Sequence, residues 1–201
     1  MFNLIKRDLI LQKKMMLIFI PFILFFIIMG TSTTLIALVA SVFIPFNAFY
    51  YDEKAETNIL LNSLPYTRKE IVASRYIGAV VYMFLAIGLT SLILLVFNQS
   101  FTLNEIAIGA TMFMLFAALT FPIFYIFKPG YLMIVVLISF FVFLFIIENA
   151  IPYVMENFTV LTEFVLSLTT GELYILGTLT ILVIYGVSWL ASTIIYQQKA
   201  L

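Results

Sequence analysis

Apolar residues form long continuous runs along this chain and do not alternate with polar ones. A helix needs about 20 largely apolar residues to cross the hydrocarbon core of a bilayer, and unbroken runs argue against the alternating pattern of a membrane β-barrel. We identify six such runs, which lie within residues 15–30, 33–51, 75–97, 105–127, 131–147 and 172–196. The pattern predicts an all-α polytopic membrane protein with six transmembrane helices, forming a single transmembrane domain over residues 1–201.

Short turn-forming segments separate some of these runs. Gly30, Thr31 and Ser32 are the only residues between the first two runs, which predicts a tight helical hairpin. Lys128-Pro129-Gly130 is a strong turn signal between the fourth and fifth runs. Three prolines lie inside the runs, and neighbouring groups in a membrane can satisfy the carbonyls that they free. These prolines, which we expect to kink their helices, are Pro21, Pro45 and Pro122.

The basic residues fall on one side of this six-helix arrangement. All ten lysines and arginines lie before the first run, between the second run and the first residue of the third (Arg75), between the fourth and fifth, or after the sixth. An even number of helices puts these four segments on the same face. Cytoplasmic segments of membrane proteins carry an excess of Lys and Arg, so both termini are predicted to be cytoplasmic.

Residues 2–14 combine a basic and an apolar helical face. This combination is typical of an interfacial amphipathic helix that lies along the headgroups with its cations near anionic lipid. The alternative is a basic flank that only sets the orientation of the first span. The basic residues that we assign to the membrane surface are Lys6, Arg7, Lys13 and Lys14.

The cytoplasmic segment over residues 52–74 is the largest one, and it predicts a short helix, a break and a second, capped helix. Asp52 can cap the first, and Pro65 ends it because the residue before a proline avoids helical geometry. Thr67 and Glu70 have the spacing of a capping box that starts a second helix, leading into the third span. The segment is either a loop that packs on its own protein or a docking element for a cytoplasmic partner.

The outer face carries two further capping boxes and one enlarged segment. Thr102 with Glu105, and Thr169 with Glu172, have the same spacing, and helix-dipole stabilisation explains these acids without any substrate. Residues 148–170 exceed the length that a turn needs and include an amphipathic stretch. We expect one or two short helices there that dip into the outer leaflet, and an external gate is one hypothesis for them.

Composition excludes several kinds of chemistry. The chain has no Cys and no His, and its net charge is zero, so disulfides, the usual zinc ligands and a basic nucleic-acid surface are absent. No ionisable residue lies at the centre of a predicted span, where an ion-coupled carrier normally has one. The sequence also lacks the GxxxxGK[ST] pattern of a phosphate-binding loop. We therefore expect this chain to bind no metal and no nucleotide of its own.

One segment carries a family resemblance. Residues 61–76 read Leu-Asn-Ser-Leu-Pro-Tyr-Thr-Arg-Lys-Glu-Ile-Val-Ala-Ser-Arg-Tyr, which is similar to the recurrent LxSLPxsRxxIVxxKY segment in the membrane subunits of type-two ABC exporters. Arg75 stands where Lys is common, which keeps the charge. In topology the resemblance covers nearly the whole chain, including the basic N-terminal helix, the loop after the second span and the enlarged outer segment.

The resemblance implies a function as the permease subunit of an ATP-driven exporter. Such a subunit is not itself an enzyme, since ATP and magnesium bind to a cytoplasmic ABC ATPase dimer, and it pairs with a second permease copy or a paralogue. Residues 52–64 would form a coupling helix that docks on the ATPase. The docking residues carried over from the family are Glu53, Glu56, Ile59, Leu60 and Leu64.

The resemblance also implies a location and a class of cargo. The protein would lie in the cell membrane of a bacterium, in a Gram-positive organism, and would export amphipathic or hydrophobic peptides, drugs or lipids. Permeases for phenol-soluble modulins and bacteriocins have a similar size and composition. The alternative function is a non-transporting accessory or immunity protein that binds a peptide or lipid in the bilayer. This alternative accounts for the hydrophobicity but not for the capped cytoplasmic loop.

Overall fold

The computed structural model describes residues 2–54, 67–127 and 131–198 of the chain. Every regular element within these residues is an α-helix. In chain order the helices are α1 Phe2–Ile28, α2 Thr33–Lys54, α3 Arg68–Val96, α4 Leu103–Ile126, α5 Leu132–Asn157, α6 Thr159–Ser167 and α7 Thr170–Gln198.

Four of the described helices are long and apolar enough to cross a membrane. These are α3, α4, the Ile134–Asn157 part of α5, and α7, while the apolar part of α2, Thr33–Asn47, is shorter. The prediction of an all-helical, multi-pass membrane protein is thus confirmed. The count of six spans and the cytoplasmic side of the termini stay predictions.

The predicted hairpin between the first two runs is confirmed. Helix α1 ends at Ile28 and α2 begins at Thr33. Gly30 has φ 66°, its backbone N donates to Ile27 O at 3.0 Å, and Thr31 N donates to Phe26 O at 3.2 Å. This is the Schellman arrangement, in which a residue with positive φ satisfies the last carbonyls of a helix. Glycine suits the position because it lacks a Cβ.

Residues 2–14 and the first predicted span form one continuous helix in the structure, α1, with Pro21 inside it. The predicted boundary between them after Lys14 is wrong. Leu, Lys, Gln and Met around that point are all good helix formers, so nothing there interrupts the backbone hydrogen bonds. Leu4 and Ile5 are buried, and the Tyr82 hydroxyl of α3 donates to Ile5 O at 2.9 Å. Contact of residues 2–14 with lipid headgroups stays a prediction.

The outer segment after the fifth predicted span contains more helix than expected. Helix α5 continues past Ile147, through Pro152, to Asn157. The short helix α6 follows almost at once, where the amphipathic stretch was predicted, and α7 begins three residues after α6 ends. Within 148–170, only Phe158, Leu168 and Thr169 therefore lie outside helices.

Helix α4 occupies the centre of the bundle and packs against α2, α3, α5 and α7. Phe46 of α2 stacks on Phe116 with 5.2 Å between ring centroids and meets Phe124 edge-on at 5.3 Å. At the other end of the same crossing, Gly109 lies so close to α2 that an added Cβ would be 2.8 Å from Thr34 O. Glycine thus permits the close approach of two helix backbones that membrane packing favours.

Candidate coupling site at one end of helices α3 and α7

Helix α3 begins with the predicted capping box. The Glu70 backbone N donates to the Thr67 hydroxyl at 3.2 Å, and the Thr67 backbone N donates to the Glu70 carboxylate at 2.9 Å. Two backbone N–H groups that lack helical partners are satisfied in this way. This cap fixes the start of α3 at Arg68.

The two capping boxes predicted at the opposite end are also confirmed. The Thr102 backbone N donates to the Glu105 carboxylate at 2.8 Å, at the start of α4. The Thr169 backbone N donates to the Glu172 carboxylate at 2.8 Å, at the start of α7. Both carboxylates are occupied by the helix ends they stabilise, as the dipole argument predicted.

Arg68, in the first turn of α3, binds the last turn of α7. Its Nη1 donates to Gln197 O at 2.9 Å and to Tyr196 O at 3.3 Å, and its Cζ lies 6.0 Å from the centroid of the Tyr196 ring. The last carbonyls of a helix lack helical donors, and a cation there interacts favourably with the helix dipole. From the sequence, Arg68 was predicted only to be one of the basic residues that set the topology.

Two turns further along α3, Tyr76 forms a buried hydroxyl network with α7 and α4. Its hydroxyl is 2.7 Å from Ser188 Oγ and 2.7 Å from Ser192 Oγ. Ser188 Oγ donates to Ala118 O of α4 at 2.5 Å. The Tyr185 hydroxyl donates to Tyr76 O at 2.9 Å. These bonds join three helices in a setting where water cannot replace them.

Aromatic rings surround this network. The Tyr76 ring meets Phe121 edge-on with 5.1 Å between centroids, meets Tyr185 at 5.0 Å and stacks on Trp189 at 5.9 Å. The rings keep the hydroxyls away from lipid and fix the Tyr76 rotamer. We use the name α3–α7 clasp for the residues whose side chains join α3 to α7, namely Arg68, Tyr76, Tyr185, Ser188, Ser192 and Tyr196.

The clasp was not predicted from the sequence, although the sequence contains a signal for it. The buried residues of α7 recur every three to four positions, and all but one of them carry a hydroxyl group. Such a stripe on an otherwise apolar helix indicates the face that packs against other helices through hydrogen bonds. These residues are Ile181, Tyr185, Ser188, Ser192 and Tyr196.

The bonds of the clasp also show the relative directions of the helices. The start of α3 lies beside the end of α7, so these two helices are antiparallel. At the other end the Tyr174 hydroxyl donates to Asn104 Oδ1, which places the starts of α4 and α7 together. This alternation agrees with the arrangement in which the segment before α3 and the C-terminus share one face.

Only one of the predicted docking residues lies within the described part of the chain. Glu53 lies in the last turn of α2, which continues through Asp52 to Lys54, so the prediction that Asp52 caps a separate helix is wrong. Glu56, Ile59, Leu60 and Leu64 lie outside the described residues. Of the predicted membrane-surface residues, Lys6 is exposed and Arg7 is partly buried, while Lys13 and Lys14 lie on the continuous backbone of α1. Across residues 2–54, 67–127 and 131–198, no cluster of acidic side chains could hold a metal ion.

The comparisons with known proteins give one match. No curated protein and no solved structure matches the chain. A family model, described as ABC-2 family transporter protein, matches residues 3–197. The match covers all seven helices, including the clasp and the segment before it. The chain therefore belongs to the ABC-2 family of transporter proteins, as a membrane permease subunit.

Proposed function

We propose that this chain is the permease subunit of an ATP-driven exporter in the cell membrane of a Gram-positive bacterium. The family match over residues 3–197 carries the proposal. The chain has no phosphate-binding loop, so ATP and magnesium bind to a separate cytoplasmic ABC ATPase dimer. ATP binding to that partner favours one conformation of the transporter, and the permease passes this bias on as a population shift.

The partner docks on the coupling helix, residues 52–64. The anchors of this segment support the assignment: α2 is helical up to Lys54, and α3 starts at a capped and bonded turn. A segment held at both ends by packed helices transmits a displacement better than a free loop does. The docking surface consists of the acids and apolar residues carried over from the family, Glu53, Glu56, Ile59, Leu60 and Leu64.

A second permease copy or a paralogue completes the cargo path. Large apolar side chains are exposed along α5 and the first half of α7, among them Leu137, Phe141, Phe145, Ile175 and Leu179. Aromatic and aliphatic surfaces of this kind suit a path for amphipathic or hydrophobic peptides, drugs or lipids. The outer helix α6 follows α5 after one residue, and its Thr162 hydroxyl donates to Met155 O of α5 at 3.4 Å.

The first test is co-purification of the chain, in mild detergent, from its native host. We expect an ATPase with a Walker A motif to accompany it. Leu60→Asp places a charge in the apolar docking surface and should lower the affinity for the ATPase by about tenfold or more. Asn62→Asp adds the same charge to the same segment outside the docking set, and it should bind as the wild type does.

Unchanged affinity of Leu60→Asp would refute the docking assignment. Recovery of the chain without any ATPase from well-preserved membranes would refute the exporter proposal as a whole. That result would favour the accessory or immunity function, which needs no nucleotide.

A further inference from the structure

The clasp joins two segments that matter for coupling. Arg68 is the first residue of α3, directly after the capped end of the cytoplasmic segment. Its guanidinium binds the carbonyls of Tyr196 and Gln197. A displacement at the start of α3 therefore acts directly on the end of α7 through the Arg68 side chain.

The second contact fixes the register between the same two helices. Tyr76 bonds to Ser188 and Ser192, one turn apart on α7, while its own carbonyl accepts from Tyr185. If α3 slid along α7 by one turn, these buried hydroxyls would lose their partners in an apolar setting, which is costly. Helices α3 and α7 are thus held in one register over the inner half of α7.

The outer half of α7 has a different environment. All ten residues from Gly171 to Thr180 are exposed, although the Tyr174 hydroxyl reaches Asn104. A helix of 29 residues is about 43 Å long at 1.5 Å per residue. With one half clasped and the other half largely free of packing, a small tilt at the clasp becomes a larger displacement at the outer end.

We infer that Arg68 and Tyr76 are positioning residues that join the coupling helix to α7, so that α3 and α7 move as one unit. In this unit α7 is the output arm, by which we mean the helix that carries the movement to the outer face. The inference rests on the proposed function only for the source of the movement, namely ATP binding to a docked partner. The unit itself is a property of this chain and can be tested without the partner.

The absence of Cys from the chain permits clean spin labelling at introduced cysteines. Leu92 and Ile175 are exposed, and the register of the clasp brings them to about the same height on α3 and α7. In liposomes, we expect a single narrow distance between labels at Leu92→Cys and Ile175→Cys. The double variant Arg68→Ala/Tyr76→Phe should broaden or shift that distance.

Two control variants separate the clasp from general loss of stability. Tyr82→Phe removes an equally buried hydroxyl of α3 that bonds to α1 instead, and Lys69→Gln removes an exposed charge beside Arg68. Both should keep the narrow distance. A narrow distance that survives in the clasp double variant would overturn the inference, and so would broadening in Tyr82→Phe to the same extent.

A second label pair tests the output arm in the complex with its ATPase. Ile175→Cys on α7 and Met155→Cys on α5 should change their distance when a non-hydrolysable ATP analogue and magnesium are added, while the Leu92–Ile175 distance stays constant. The clasp double variant should lose the nucleotide-driven change although the ATPase still co-purifies. A change of wild-type size in that variant, or no change in the wild type, would overturn the inference.

The two proposals fail in different ways. If no ATPase accompanies the wild-type chain, the exporter function fails, while the partner-free label pair still decides whether α3 and α7 form a unit. If the ATPase is present and the clasp variants behave as the wild type does, the exporter function stands and the inference about α7 fails.

Discussion

Two apolar regions of this molecule differ in how they pack. The packed region consists of α2, α3, α4 and residues 181–196 of α7, and the exposed region consists of α5, α6 and residues 171–180 of α7. Within the apolar segment of α4, 39% of residues are buried, whereas in α5 only 12% are. Hydrophobicity alone therefore does not decide which helices of this chain pack together.

Small and hydroxyl-bearing residues distinguish the packed region from α5. The packed region buries Ser41, Thr120, Ser188 and Ser192 and brings Gly109 against Ala37. Helix α5 carries mainly Ile, Leu, Val and Phe on its surface. Lipid tails are as apolar as these side chains, so helices in a bilayer associate through close backbone approach and hydrogen bonds. The exposed region is left for lipid, cargo or a second permease copy.

Two phenylalanines, one in each region, should show the largest difference in unfolding free energy when each is replaced by alanine. Phe121 is 0% exposed and touches Phe46 and Tyr76, whereas Phe141 is 68% exposed. Phe121→Ala should lower the free energy of unfolding by about 2–3 kcal/mol. This is below the range of about 3–5 kcal/mol in soluble cores, because an unfolded chain in detergent also shields its apolar groups. Phe141→Ala should change it by less than about 0.5 kcal/mol.

Denaturant titration of the single chain in detergent micelles measures both phenylalanine variants. Equal losses of unfolding free energy at the two positions would show that close packing inside the packed region does not contribute to stability. A loss of stability for Phe141→Ala that appears only at high protein concentration would instead place Phe141 in a contact between copies.

Two glycines provide the next comparison. An alanine Cβ at position 109 would lie 2.8 Å from both Ala37 Cβ and Thr34 O, while at Gly177 it would meet nothing within 4 Å. Gly109→Ala should cost about 1–3 kcal/mol through overpacking, partly offset by the higher helix propensity of Ala. Gly177→Ala should gain up to about 1 kcal/mol from that propensity alone. The same titration measures both, and stabilisation by Gly109→Ala would contradict the close crossing of α2 and α4.

The sequence was sufficient for the parts of the fold that depend on local chemistry. The hairpin at Gly30 and the capping boxes at Thr67, Thr102 and Thr169 follow from residue types at fixed spacings, and each is present. The boundary after Lys14 had no such local signal, since a change from polar to apolar residues does not interrupt a helix. The structure accordingly continues α1 through it.

The clasp could not be predicted in the same way, because it depends on long-range register. Arg68 and Gln197 are 129 positions apart, and Tyr76 and Ser188 are 112 apart. The hydroxyl stripe on α7 identifies a packing face, but it does not say which helix lies against that face. The exposure of residues 171–180 could not be predicted either, because their composition does not differ from that of a packed span.

The smallest of the three effects concerns single hydroxyl groups in the two regions. Ser188 Oγ bridges Tyr76 and Ala118 O between helices, whereas Thr180 Oγ1 bonds only to Leu176 O of its own helix. Ser188→Ala should lower the free energy of unfolding by about 0.6–1.7 kcal/mol, the range of interhelical hydrogen bonds in membranes. Thr180→Ala should leave it unchanged, since its helix backbone stays intact without the hydroxyl.

Hydrogen exchange around Ala118 provides a second measurement for this pair. Loss of the Ser188 hydroxyl should raise exchange at the facing turns of α3, α4 and α7 together, because one bridge serves all three helices. Thr180→Ala should raise exchange only within its own turn of α7. If both variants had only local effects, the hydroxyl groups of the packed region would contribute bonds within single helices and not between helices. Close contact of the helix surfaces would then account for the difference between the two regions.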